Sequence, residues 1–349
     1  MNTTADAQQT ATTAELLNAF YTFLSTAGFV PLVVILISIR TLIAGIGIVF
    51  NLSLGWVTIR SRNLHGTTNI LIAIDSVSLA IYEIGFFPIW IIVLVGKNLV
   101  RLEQCFWPML LPVFAKNFSS ALMVAVGLDR LKYAIFPLIS SKVQKYFMIL
   151  WTIPCAIYGL TVILLSYRIM LRMPNSFVMC TASEITQYEA AVVSYNATLI
   201  LQCLSPIVYC VLGIFVYVKM PTNGQQQSNK SLFKSIVVLM LIQLFGWGSN
   251  SLSLLFFRKF FAITSLSDMT KWAMNCVFSY VLTVATTANA PTLYFCNFEY
   301  KTAFQAQFRS LFSRSANNNK VAAMQQVKPI GNNNNISAGR TVQRVRLNA

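Results

Sequence analysis

The chain has 349 residues, 56% of them hydrophobic and only 10% charged, with a mean hydropathy of +0.63. A soluble domain carries about 25% charged residues, so an ordinary soluble globular protein is excluded. The formal net charge of +16 does not mark a nucleic-acid binder. The bases fall between apolar runs and in the C-terminal tail, which is the positive-inside pattern of a membrane protein.

Residues 1–29 are polar, rich in Thr and Ala, and carry Asp6 and Glu15 but no base. They are predicted to form an extracellular N-terminal tail. Asn2-Thr3-Thr4 is a glycosylation sequon, which fits that side of the membrane; its closeness to the terminus leaves its use open. No basic start followed by an apolar core marks a cleaved signal peptide, so the first apolar run is expected to serve as the insertion signal. Seven apolar stretches follow: span 1 over 30–59, span 2 over 68–95, span 3 over 105–133, span 4 over 146–167, span 5 over 188–218, span 6 over 232–257 and span 7 over 269–296. Each is about 20 residues or longer, enough to cross a hydrocarbon core. The predicted fold is an all-α membrane protein, a seven-transmembrane helix bundle over 30–297.

Seventeen bases fall in the loops after odd-numbered spans and in the C-terminal tail, against seven on the opposite side, where six of the ten acids also lie. That asymmetry places the N-terminus outside and the C-terminus in the cytoplasm. After span 7, Phe298, Phe304, Phe308, Leu311 and Phe312 recur at helical spacing among Lys301, Arg309 and Arg314. They predict a short amphipathic helix over 298–315, lying on the surface of the lipid bilayer. Residues 316–349, with Asn317–Asn319 and Asn332–Asn335, are predicted to be a disordered cytoplasmic tail. No sequence echo relates the halves, as it often does in inverted-repeat transporters.

Span 3 closes on Met123-Val124-Ala125-Val126-Gly127-Leu128-Asp129-Arg130. An acid and a base where a membrane helix meets the cytosol are expensive unless the charges answer each other or a partner. Asp129 is expected to hold Arg130 until a partner or a movement frees it; the alternative is two helix-end charges solvated by headgroups. The chain has seven cysteines without a CxxC, and His65 is its one histidine, so a zinc site is not expected. Cys105 and Cys180 both face the outer side and the other five do not, which predicts a disulfide pinning the second outer loop over the bundle mouth. Two free thiols are the alternative.

Polar side chains also lie inside the apolar runs. Asn51 is in span 1, Asp75 in span 2, Ser119 in span 3 and Asn289 in span 7. An intramembrane carboxylate must face the interior, and Asp75, Ser119 and Asn289 offer oxygen ligands that suit a sodium ion or a proton. The alternative is a hydrogen-bonded packing network without an ion. Pro291 removes a backbone hydrogen bond and loosens span 7, which would let Tyr294 swing toward the inner face. Pro154 and Pro206 are expected to kink spans 4 and 5. Arg40, Glu83 and Lys116 are three further charges at membrane depth. Arg40 is expected either to pair with Glu83 or to snorkel to the outer interface.

In order, these features resemble the rhodopsin-like (class A) G-protein-coupled receptors over roughly residues 30–312. Asn51 resembles the family's span 1 Asn and Asp75 its span 2 Asp. Asp129-Arg130 resembles the Asp-Arg-Tyr motif, with Leu131 third, and Cys105 precedes Arg130 by twenty-five residues as the family's disulfide cysteine does. Trp151 resembles the span 4 Trp, Pro206 the span 5 Pro, and Pro291-Thr292-Leu293-Tyr294 the end of Asn-Pro-x-x-Tyr. Gly127-Leu128-Asp129-Arg130 with Phe136-Pro137-Leu138 is most similar to the nematode chemosensory serpentine receptors of the class SX type.

That resemblance implies a plasma-membrane receptor that senses an external small molecule or peptide and activates a heterotrimeric G protein. Asp129, Arg130, Pro291 and Tyr294 would form its switch. Arg40, Glu83, Pro112, Lys116 and Trp247 would line its ligand pocket, with no cofactor beyond a candidate sodium ion at Asp75. Pro112 stands one turn above Lys116, where amine receptors carry an acid, which disfavours a simple monoamine. Lys116 is read as a contact for an anionic or carbonyl ligand, or else as a partner of Glu83 or Asp75. Two departures from the pattern stand out. Asn289 is one place early, with Ala290 where the family has Asn, which should weaken the sodium network. Span 6 lacks Cys-Trp-x-Pro and offers Phe245-Gly246-Trp247-Gly248. Its glycines would loosen the helix, Gly248 reading as a packing site. The rival is a seven-span transporter or channel using Asp75, Glu83, Lys116 and Arg40, but those charges cluster in the outer half and middle. No catalytic constellation is present, so an enzyme is not expected.

Overall fold

The computed structural model describes residues 22, 24, 26–135, 141–219, 237, 238, 241, 242, 244–253, 256, 260 and 266–309. The sequon at Asn2, the tail beyond residue 309 and much of span 6 lie outside these residues. The chain divides into two units, Met1–Phe304 and Gln305–Ala349; of the second, residues 305–309 are described and helical.

The fold is an all-α membrane bundle. Span 1 is Pro31–Arg60, opened by a proline in its first turn, where the missing N–H costs nothing. Span 2 runs as Thr67–Ile84 and Phe86–Leu94, broken at Gly85. Pro88 has no N–H to give the Ile84 carbonyl, and its ring crowds it, so the first helix stops at Ile84. Gly85 also lets span 3 come close: a Cβ there would lie 2.7 Å from Pro112 Cβ. Span 3 is Leu102–Ile135, span 4 Ser141–Arg172 and span 5 Tyr188–Lys219. In span 6, residues 244–253 are helical. Span 7 runs as Asp268–Thr287 and Asn289–Cys296. Its break repeats the logic of span 2, because Pro291 cannot donate to Thr287, the last residue of the first helix.

Five described helices are long and apolar enough to cross a membrane. Span 7 is interrupted, and span 6 is only partly described. Burial ranks the five: 78% of the apolar window of span 3 is covered by protein, against 22% in spans 4 and 5. Span 3 is therefore the central helix, packed on spans 2, 4 and 5, while span 1 packs on spans 2 and 7. Outward residues such as Leu42, Ile59 and Ile200 are large, apolar and exposed, as a lipid-facing surface requires.

At one end, Cys105 and Cys180 form a disulfide across 75 residues of sequence, with Cα atoms 5.4 Å apart. A two-residue antiparallel ladder, Val100 opposite Val178 and Arg101 opposite Phe177, lies beside it. At the other end, Asn297 caps the helix of residues 298–304 by accepting from the Glu299 and Tyr300 amides, an N-cap arrangement. Tyr300 and Phe304 point from that helix into the core beside Leu64 and Leu293, and burial pushes the Tyr300 phenol up to about 12. Phe298 is exposed. Phe304, placed on a lipid-facing stripe by its spacing, belongs instead to the bundle core. Tyr300 one turn earlier shares its face.

Candidate functional site: charges held inside the bundle

At the end away from the disulfide, Asp129 of span 3 meets the first turn of span 2. Thr68 Oγ1 donates to Asp129 Oδ2 at 2.6 Å and Thr67 Oγ1 to the same oxygen at 3.1 Å. Gly66, the residue before that helix, offers no side-chain cap, so the carboxylate also faces the positive end of the span 2 dipole. The other carboxylate oxygen takes an ion pair from Lys132 at 2.6 Å. Lys132, one turn further along span 3, also lies 4.8 Å from the centre of the Phe147 ring of span 4. Arg130 Nη2 reaches across to Asn69 Oδ1 of span 2 at 3.3 Å. The expected Asp129–Arg130 pairing is thus corrected: Asp129 pairs with Lys132. Adjacent helix residues point about 100° apart, while residues three apart share a face.

The second cluster sits midway along spans 1, 2 and 7. Glu83 is fully buried. Its Oε2 accepts from Asn51 Nδ2 at 3.2 Å, and its Oε1 from the hydroxyls of Thr286 and Thr287 at 3.1 and 3.2 Å. Asn51 also donates to the Thr286 carbonyl at 3.1 Å. Space for this comes from Gly47, where a Cβ would collide with Glu83 Oε1 and Thr287 Oγ1. The expected Arg40–Glu83 pair is absent. Arg40 instead donates to Thr283 at 3.3 Å and stacks its guanidinium 4.2 Å from the centre of the Phe86 ring. Asp75, two turns from Glu83 along span 2, accepts from Ser119 of span 3 at 2.5 Å.

A family model described as the serpentine type 7TM GPCR chemoreceptor Srsx matches residues 44–308. The chain belongs to the Srsx family of serpentine chemoreceptors. No curated protein matches it.

In this Srsx chemoreceptor the residues expected to form one polar network divide in two. Asp75 and Ser119 come together, whereas Asn51 joins Glu83. Asn289 is buried. The residues expected to line one ligand pocket also separate. Arg40 and Glu83 are engaged as described, Pro112 packs at Gly85, and Lys116 pairs with neither Asp75 nor Glu83. Trp247 is buried, stacks on Tyr82 at 6.3 Å and lines a cleft between spans 3, 5 and 6. The glycines flanking Trp247 exchange roles: a Cβ on Gly246 would strike Ala285 of span 7, while Gly248 has open space. Gly246, not Gly248, is the packing site. Tyr294 lies with its ring 6.0 Å from that of Phe304.

Several residues escaped the sequence reading. Thr67, Thr68 and Asn69 hold the charges of span 3, together with Lys132, which in the charge asymmetry is one base among seventeen. In span 7, Thr286 and Thr287 supply the donors to Glu83, and Thr283 accepts from Arg40. Their signal was there: hydroxyls repeating at helical spacing inside an apolar span face the bundle.

Proposed function

We propose that this chemoreceptor lies in the plasma membrane with its N-terminus outside. On this reading it binds an external small molecule or peptide toward the disulfide end and activates a heterotrimeric G protein at the Asp129 end. The observation that carries this is the knot of Asp129, Lys132, Thr67 and Thr68, with Arg130 held by Asn69. Any shift of span 3 against the first turn of span 2 must break the contacts of Asp129 with Thr67 and Thr68 and of Arg130 with Asn69, and so release Arg130 to a cytoplasmic partner, while Lys132 stays with Asp129 on the same helix. A ligand drives that shift only by its difference in affinity for the two arrangements. Asp75, with Ser119 beside it, remains the place for a sodium ion in this scheme.

A receptor is supported over a transporter because Asp75, Glu83 and Arg40 each answer to different neighbours rather than to a continuous path. The test is nucleotide exchange on purified G protein with the full chain in vesicles, screened against candidate small molecules. Wild type responds, and an Arg130→Ala variant present at the same level stays silent. Ion flux through liposomes holding the chain and no G protein overturns the proposal.

A further inference from the structure

Span 7 meets Glu83 with two hydroxyls, and each lies within reach of two acceptors. Thr286 Oγ1 is 3.1 Å from Glu83 Oε1 and 2.9 Å from the Thr283 carbonyl. Thr287 Oγ1 is 3.2 Å from the same carboxyl oxygen and 2.8 Å from the same carbonyl. A threonine hydroxyl has one proton and two lone pairs, so each gives a full hydrogen bond to only one acceptor at a time. Turned toward Glu83, both hydroxyls serve a carboxylate. Turned toward Thr283, a hydroxyl presents a lone pair to Oε1 and accepts from a carboxylic acid.

Among the described residues no cation pairs with Glu83. On span 1, Arg40 is engaged by Thr283 and Phe86. On span 2, Asp75 is held by Ser119 two turns away, and the Tyr82 phenol beside Glu83 is buried. On span 3, Lys116 has Arg40 as its charged neighbour. Span 7 brings Tyr280, whose hydroxyl donates to the Leu36 carbonyl at 2.6 Å. A lone carboxylate is so costly in an apolar interior that such a group takes up a proton instead.

We infer that Glu83 is a proton-binding site: with spans 1, 2 and 7 packed together it is a carboxylic acid whose Oε1–H donates to Thr286 Oγ1, while the Thr286 hydroxyl donates to the Thr283 carbonyl. The proton comes from water, one O–H bond forms on Glu83, and its negative charge is cancelled; no other bond breaks. Oε2 keeps the Asn51 amide, and Thr287 still donates to Oε1. The charged and neutral forms differ by the rotation of one hydroxyl, so the site loads and unloads without moving a helix. Separating span 7 from spans 1 and 2 takes away the threonines and admits water, and the proton leaves. The proton is thus a ligand of this chain in its own right, and acid holds these three spans together. This goes beyond the receptor reading and does not depend on it.

The experiment takes the full chain in phosphatidylcholine nanodiscs and reads it by infrared spectroscopy at neutral pH, where exposed carboxyls are ionised. A carboxylic-acid C=O stretch is expected. It should shift when the chain is made with glutamate carrying carbon-13 in its side-chain carboxyl, vanish in Glu83→Gln and remain in Asp75→Asn. The isotope label needs no substitution, so the reading holds even if Glu83→Gln fails to fold. Absence of an acid band at neutral pH overturns the inference. So does a band that the label leaves unmoved, one that persists in folded Glu83→Gln, or one that vanishes in Asp75→Asn. Thermal midpoints give an independent reading. As pH rises from mildly acidic to alkaline, the unfolded chain gives up this proton before the packed chain does, so stability falls. Wild type should lose more over that range than Glu83→Gln, and equal losses overturn the inference. None of these readings uses a G protein, so a failure of the receptor reading would leave them standing.

Discussion

Asp129 and Glu83 are both almost wholly buried, at 1% and 0% exposure, and each takes three donors, yet from opposite chemistry. Asp129 has a cation, Lys132, and two hydroxyls from the start of span 2. Glu83 has only neutral donors, an amide from span 1 and two hydroxyls from span 7, although Arg40 lies in the same region and spends itself on Phe86 and Thr283. A carboxylate that shares a cation can trade it, since another anion or a new position satisfies the lysine equally well. A carboxyl held by short neutral side chains from two other helices has no such exchange open to it. The first arrangement has the chemistry of a latch and the second that of a staple.

The largest effect should come from opening the latch. Asp129→Ala strands Lys132 and deprives Thr67 and Thr68 of the acceptor that ties span 2 to span 3, and two hydrogen bonds to a charged group together contribute about 3 kcal/mol. Basal nucleotide exchange on the G protein should then rise by about a hundredfold, unless it saturates first. Asp129→Asn, which keeps an acceptor for the threonines, should raise it less. Unchanged basal exchange in both variants would show that the knot holds nothing shut.

The staple should fail differently. Gly47→Val pushes a side chain into Glu83 and Thr287, and overpacking of this kind costs about 1–3 kcal/mol. The thermal midpoint should fall with no gain in basal exchange. Adding Glu83→Ala removes the atoms in the way, so the double variant should lose less than the two single losses added together. Strict additivity would separate Gly47 from Glu83. Asn51→Leu removes one donor from two acceptors and should cost about 1–2 kcal/mol by the same measurement, again without basal signalling.

Much of this was legible before any coordinates. The apolar runs, the outward-facing cysteines and the proline of span 7 each obey a local rule, and the helices, the disulfide and the break at Ala288 follow. The break at Gly85 obeys the same rule through Pro88, yet Pro154 and Pro206 sit inside helices that continue. A proline alone therefore does not say where a helix stops. Partner choice was far less legible. Arg40 with Glu83, and Asp129 with Arg130, are the pairings that charge and sequence proximity suggest. The helix faces and the hydroxyls of neighbouring spans decided otherwise, and those depend on how the helices rotate against each other. Asn51 illustrates this. Its donor goes to Glu83 rather than Asp75 because Gly47, one turn away, opens room at that height.

The smallest effect should fall on Asp75. Ser119→Ala removes the hydroxyl at 2.5 Å, and a side-chain hydrogen bond between membrane helices contributes about 0.6 kcal/mol on average. The carboxylate stays where it is, because span 2 is fixed by the Glu83 cluster two turns along and by Thr67 and Thr68 at its first turn. The thermal midpoint should therefore drop by less than in Asn51→Leu, and basal exchange should hold at the wild-type level. A loss as large as that of Asn51→Leu would make Asp75 the staple of the bundle. The ranking of the two carboxyls of span 2 would then reverse.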